Sequence, residues 1–491
     1  MKFTQNKNNA AVLSELPGDS LMWDIFGLLS ETPRPSHYFD KIVPRLVKLG
    51  EELGFEAKEV EGHNVVITKK ADAGFEHLPT VVLQGHSDMV AEMSEKAGAF
   101  DFKNDALKLR VVDGWLMATE TTLGSDDGIA TAMALSYMKN NKTGKIELLI
   151  TSNEEVGLDG ARAVKPGMVS GKYLINIDSE EANEICVGCA GGLSFEMTYD
   201  LKTEANTQKA RHIFIRDGSG GHSGTQIHQY RLNSLKVMGE MMLAMIEKDP
   251  EMVLCNIKGG NLFNAIPRDG FMDVLCSEQA FQAGLEVYQQ IKIEQADIDP
   301  KFNIEITDVD APTRFTKCTR DAIVNLINAW QHGVLRIDSH GNTETSNNLA
   351  SIVCADGQAK MVCSARSFYD AALFRFYRRA QNMCAANGWT CHPHFGFYSG
   401  WQPDYNSTLL KLTKQAYLET FKKEPRVYSV HAGLECAVIM ANDSSIKESV
   451  SIGPTILGAH SPSERMHIEE TVETYEALCK LMELFYANKF E

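Results

Sequence analysis

The sequence contains no run of five basic residues, no stretch of eighteen apolar residues and no apolar segment in its opening MKFTQNKNNAAVLSEL. Phosphate backbones and anionic lipid surfaces bind clustered Lys and Arg. With a formal net charge of −17, nucleic acid and membrane are not expected partners. The missing apolar stretch leaves no expected membrane span, and the missing signal-peptide core gives an expectation of a cytoplasmic protein. The eleven cysteines are odd in number and scattered, which in that compartment reads as reduced thiols. Cys186 and Cys189 have C-x-x-C spacing, but no second pair follows at zinc-ribbon spacing, so a buried structural role is expected. Several short signatures are absent as well: G-x-S-x-G of serine hydrolases, the P-loop, and H-E-x-x-H of zincins. GSGGHSG fails G-x-G-x-x-G because Ser223 stands in place of the last glycine. Internal repeats and low-complexity tracts are not seen.

What is present is an ordinary globular composition over 491 residues, 44% apolar and 23% charged, long enough for two domains. The first part alternates strands and helices. SHYFDKIVPRLVKLGEELGF (36–55) and SDDGIATAMALSYMKNN (125–141) read as helices; NVVITKK, LPTVVLQG, KIELLITSN and KYLINID read as strands. That order predicts an α/β fold with a mostly parallel sheet and helices on both faces. Near residue 190 the texture changes to a glycine pair and polar–apolar alternation. Strands (212–218, 302–309, 359–368) then mix with long helices (231–249, 320–334). The expected organisation is a domain in two parts, 1–190 and 399–491, interrupted by an inserted α+β unit at 191–398. SGWQPDYNS (399–407) would be the linker.

The apolar runs of the first part end alike. VVLQG runs into His86 and Asp88; TTLG into Ser125, Asp126 and Asp127; ELLITSN into Glu154 and Glu155; YLINI into Asp178. Singly, each is a solvated strand end or an acidic first helical turn. Ligands of open α/β sheets bind outside the carboxyl ends of the strands, so four such ends can converge. Converging carboxylates repel one another unless a cation sits among them, and a histidine with several carboxylates is a ligand set for divalent metals.

These motifs, GHSDMV (85–90), LGSDDGIA (123–130), NEEVGLDGA (153–161), INIDSEE (175–181) and GAHSPSERMHI (458–468), resemble the M20 metallopeptidases over nearly the whole chain. YSGWQPD (398–404) and HAGLECAV (431–438) are most similar to the branch acting on aminoacyl-histidine dipeptides. The resemblance implies two zinc ions per chain, with Mn²⁺ or Co²⁺ also fitting such ligands. It implies His86 and Asp178 on one ion, Glu155 and His460 on the other, and Asp126 bridging. Glu154 would be the general base toward a water acidified by the metal pair, and Asp88 would accept the second ring N–H of His86. It further implies a dipeptide substrate, preferentially Xaa-His including β-Ala-His, a catalytic domain made of 1–190 and 399–491 with 191–398 as its inserted lid, and a homodimer formed through that inserted domain. His222, reaching in from a dimer mate, would serve the oxyanion; Arg366 the substrate carboxylate; Asn264 the substrate backbone; Glu435 the substrate ammonium.

The pattern departs from the family at one motif. Many relatives have lysine where Gly128 follows Asp126-Asp127, so Asp127 competes for the bridge. His467, near His460, reads as a surface or packing residue. Rival readings keep the metals and change the substrate, as an aminoacylase, deacetylase or tripeptidase. Another removes the activity and leaves a metal-stabilised scaffold, but Glu154 and every expected ligand are present.

Overall fold

The computed structural model describes residues 2–488. The chain forms two compact units. One is drawn from the residues up to Gly188, from Trp401–Ser429 and from Leu434 onward; the other comprises Cys189–Gly400 and Val430–Gly433.

The first unit is built on an eight-stranded sheet. Its centre is four parallel strands in the order Ile146–Thr151, Val81–His86, Tyr173–Asn176 and Glu448–Ser451. Antiparallel strands flank them: Glu56–Val60 and Asn64–Lys69 on one side, Glu184–Cys189 on the other. Alternation along a strand sends successive side chains to opposite faces. Val65, Ile67, Val81, Leu83, Leu148 and Ile150 join one core with Trp23, Phe26, Leu135, Leu478 and Phe485 of the helices. Val66, Val82, Leu149 and Leu174, their neighbours on the opposite face, are buried too, so the sheet is covered on both sides. The helix Ser125–Asn140 is buried almost all round, which explains its lack of a polar stripe. No helix among the described residues is long and apolar enough to cross a membrane.

Register brings the ligand-bearing ends level. His86 pairs with Thr151, three residues before Glu154, and Gln84 pairs with Asn176, two before Asp178. His460 lies in the turn between the paired strands Ile456–Leu457 and Arg465–His467, the latter also pairing with Trp115–Ala118 in a small four-stranded sheet.

The second unit carries a nine-stranded sheet whose described pairings are all antiparallel. Its own core gathers Phe195, Met238, Met241, Met245, Ile323, Leu326, Trp330 and Phe376.

Two helices are shorter than their periodicity predicts. The first covers Ile42–Glu52, not 36–55, because Ser36 and Arg34 spend their backbone groups on Met89: Ser36 N–H donates to Met89 O, and Met89 N–H to Arg34 O. The second covers Lys317–Ala329, and Gly333–Ile337 is a strand. Trp330 is already extended, and Gly333 has φ 95°, a conformation that suits glycine and starts the pairing with Thr343–Ala355. Cys186 and Cys189 are buried thiols, with Cys186 Sγ donating to Gly188 O.

Candidate metal centre

At the carboxyl ends of the parallel strands, two side-chain sets share one carboxylate. His86, Asp126 and Asp178 form the first; Asp126, Glu155 and His460 form the second. In each, the potential ligand atoms lie within 4.8 Å of one another. Asp126 is the common member: Oδ1 is 2.9 Å from His86 Nε2 and Oδ2 is 3.2 Å from His460 Nε2. Asp178 Oδ1 is 3.5 Å from His86 Nε2, and Glu155 Oε2 is 2.9 Å from His460 Nε2. Glu154 joins His86 and Glu155 in a third grouping.

Asp127 turns away from this cluster. Its Oδ2 accepts the backbone N–H of His86 at 3.1 Å, close against Gly85, where a Cβ would collide with that carboxylate. The glycine before His86 therefore admits a buried acid behind the strand end. Gly128 is explained the same way: a Cβ there would lie 2.6 Å from Arg34 Nη2. The space a side chain at position 128 would enter is filled by the guanidinium of a distant arginine.

Asp88 meets both His86 and Glu154. Nδ1 of His86 is 3.1 Å from the Asp88 carbonyl oxygen and 3.5 Å from its Oδ1. The Asp88 carboxylate accepts the Ser36 hydroxyl at 2.7 Å and the Glu154 backbone N–H at 3.0 Å. Glu464, four residues after His460, accepts the N–H groups of Leu123, Gly124 and Ser125 and the Ser125 hydroxyl, fixing the loop before Asp126. His467 caps the helix Ile468–Ala487 and packs edge-on against Trp115.

The electrostatics express crowding. Burial, then the neighbouring Asp178, Glu435 and Glu155, hold the Glu154 carboxyl well above the usual range, against the pull of His86. Asp178 is pushed up to about 6 by burial and by Asp126 and Glu155. Burial works against ionisation of Asp126, but hydrogen bonds to His460 and His86 outweigh it and hold it far below the carboxylate range. His460 is carried up to about 11 by Asp126 and Glu155. Glu180, not singled out in the sequence, rises to about 8 through burial and the adjacent Asp126 and Asp178. Glu155 Oε1 is buried with no hydrogen-bond partner. A set of two imidazoles and several buried carboxylates, one with an unpartnered oxygen, fits a pair of divalent cations.

The expected substrate residues divide between the units. Glu435 belongs to the first and is 1% exposed. Its Oε2 accepts from Gln84 Nε2 at 2.6 Å and Thr151 Oγ1 at 2.7 Å. Those two bonds tie it to neighbouring strands, while its Oε1 is buried with no hydrogen-bond partner. His222, Asn264 and Arg366 belong to the second unit. His222 and Arg366 both approach Gly224, where a Cβ would sit 3.0 Å from Arg366 Nε and from His222 Cε1. The Asn264 carbonyl accepts the Ser223 N–H. Arg366 is 6% exposed; Nη1 donates to the Tyr398 hydroxyl at 2.8 Å, and Nε has no partner. Nδ1 of His222 accepts the N–H groups of Gly224 and Thr225, and burial and Arg366 lower its pKa to about 4. His431, which the sequence reading passed over, is buried beside Arg366 and bonded to Ser346, and its pKa falls to about 3.

Known proteins resemble this chain over most of its length. The model of peptidase family M20/M25/M40 matches residues 82–484. The cytosol non-specific dipeptidase of Escherichia coli (strain K12) is 33% identical over 482 residues, covering 96% of this chain and 98% of that protein. The crystal structure of the aminoacylhistidine dipeptidase from Vibrio alginolyticus superposes with a TM-score of 0.90 at 30% identity, over 96% of this chain and 98% of that one. The aminopeptidase PepT from Bacillus cereus ATCC 10987 shares the fold, with a TM-score of 0.54 at 16% identity, over 98% of this chain and 100% of that one.

Proposed function

This chain belongs to peptidase family M20/M25/M40 and is a hydrolase acting on peptide bonds, and we propose that it cleaves dipeptides, preferentially Xaa-His including β-Ala-His, with two zinc ions. The observation that carries the reading is Asp126, whose two carboxylate oxygens face two different histidines, His86 and His460. His86, Asp126 and Asp178 would hold one ion and Asp126, Glu155 and His460 the other; Mn²⁺ or Co²⁺ would substitute. Bound there, the ions supply a Lewis acid for the scissile carbonyl and acidify the attacking water.

The chain's own groups do the rest. Glu154 accepts the proton of the attacking water and delivers it to the leaving amine. Its backbone is held by Asp88, so the base is fixed relative to His86. His222 stays neutral at pH 7, with its acceptor nitrogen already engaged by two N–H groups. Its other nitrogen therefore carries a proton to offer a developing oxyanion. Arg366 takes the free carboxylate of the substrate, a role supported by its unpartnered, buried Nε. Asn264 steadies the substrate backbone. A cytoplasmic homodimer assembled through the second unit, acting as a lid, completes the proposal.

The test is hydrolysis of β-Ala-His, Gly-His, Gly-Leu, a tripeptide and an N-acetyl amino acid, with metal content measured on the same sample. Cleavage of the Xaa-His dipeptides by protein holding two ions per chain is expected. Preference for the tripeptide or the acetyl compound would overturn the substrate assignment.

A further inference from the structure

Residues 34–37, Arg-Pro-Ser-His, lie before the matched family region, which begins at residue 82, and they belong to neither a helix nor a strand. Yet they touch the loops bearing His86, Asp126 and Glu154. Arg34 is 2% exposed. Its Nη1 donates to the carbonyl oxygens of Ser87 at 3.2 Å and Asp88 at 3.0 Å, and its Nη2 to that of Gly124. The backbone of residues 34–36 exchanges two hydrogen bonds with Met89. Ser36 Oγ donates to Asp88 Oδ2 at 2.7 Å, and the His37 N–H to Asn153 Oδ1 at 2.7 Å.

The contacts are specific to the side chains present. Only a rigid fork reaches two carbonyls on one loop and a third on another; an ammonium is a point donor. The fork has displaced side chains around it: a Cβ at Gly124 or at Gly128 would lie 2.6 Å from Arg34 Nη2. The guanidinium is also a buried cation among Glu464, Asp88, Asp127 and Asp126. Ser36 holds one oxygen of Asp88 while the other receives the Glu154 N–H, so the orientation of that carboxylate decides where the Glu154 backbone sits.

We propose that residues 34–37 are the positioning element of this centre: Arg34 sets the spacing between the His86 loop and the Asp126 loop, and Ser36 sets Glu154 through Asp88. The proposal rests on the metal and general-base roles given above. Neither side chain touches substrate, so both act through groups that do. Disturbing such supporting groups costs about 10–100-fold in metal affinity or turnover.

The experiment uses the full chain loaded with Zn²⁺, as wild type, Ser36→Ala, Ser36→Thr and Arg34→Lys. It measures kcat and KM on Gly-His, thermal midpoint, and Zn²⁺ affinity against a chromophoric chelator. Ser36→Ala is expected to lose about tenfold or more in kcat with KM and Zn²⁺ stoichiometry kept, and Ser36→Thr, which keeps the hydroxyl, to restore it. Arg34→Lys is expected to bind Zn²⁺ about tenfold more weakly. Wild-type kcat in Ser36→Ala, or a loss that tracks the thermal midpoint and is not restored by threonine, overturns the proposal. So does wild-type Zn²⁺ affinity in Arg34→Lys; if that variant does not fold, the Ser36 pair decides. A wild-type enzyme that cleaves no dipeptide refutes the dipeptidase reading instead, and the Zn²⁺ affinities still test the positioning element.

Discussion

His460 and Asp126 are 334 residues apart in the chain, and His460 Nε2 lies 3.2 Å from Asp126 Oδ2. Two supports create the encounter. The strand after His460 pairs with Trp115–Ala118, just upstream of the Asp126 loop, and Glu464 accepts the N–H groups of that same loop. The centre thus closes only when the end of the chain has docked on its beginning.

Asp126→Ala should lose at least one ion, because its carboxylate belongs to both ligand sets. Asp127→Asn should keep both, since Asp127 accepts a backbone N–H from His86 behind the centre. Metal analysis of the two purified variants checks this. Two ions retained in Asp126→Ala would move the bridge to Asp127.

Glu154→Ala should keep both ions and lose about 10²–10⁴ of its turnover, the usual contribution of a positioned general base. Steady-state kinetics with metal analysis on the same sample separates this from ligand loss. Retained turnover would remove Glu154 from the role.

The metal-free protein should lose stability as pH rises. Asp178 titrates at about 6 in the fold against an ordinary 3.8, and Glu180 and Glu435 at about 8 against 4.5. A raised folded pKa gives stability that is present below the unfolded value and lost on climbing through the folded one. His460, raised from 6.5 to about 11, adds a loss of the same sign at higher pH. Asp126 is shifted the other way and matters only on acidification below its ordinary 3.8. Thermal midpoints in chelator should therefore fall from about pH 5 to about pH 9. Saturating Zn²⁺ should remove that fall, because metal replaces the protons on its ligands. A chelated protein that gains stability over this range would contradict the crowding of acids described here.

The clustering of His86, Asp126, Glu154, Glu155 and Asp178 was legible because four apolar runs end in the same chemistry, and a parallel sheet brings such ends together. Which of two adjacent aspartates faces the two histidines was not, since Asp126 and Asp127 differ only in backbone direction. Arg34 and Ser36 left no signal: they sit in an irregular segment, and hydrogen bonds to loop carbonyls have no periodicity. The strand Thr343–Ala355 escaped for a related reason, as its polar start TETSNN is buried by side-chain hydrogen bonds rather than by apolar packing. Glu435 was visible as an acid, but its contacts with Gln84 and Thr151 were not, because they join residues far apart in the chain.

Arg366→Ala should raise KM for dipeptides about tenfold to a hundredfold, which corresponds to the 1.5–3 kcal/mol of a charged hydrogen bond. C-terminally amidated analogues should be hit far less. Michaelis constants for the paired substrates check this, and an equal loss on both would take the carboxylate role away from Arg366.

The most direct measurement is the rate of Gly-His hydrolysis by metal-free protein as Zn²⁺ is added in equivalents per chain. A two-metal centre joined through Asp126 predicts negligible rate without metal and full rate only as the second equivalent is bound. Full rate in chelator, or saturation at one equivalent, would contradict it.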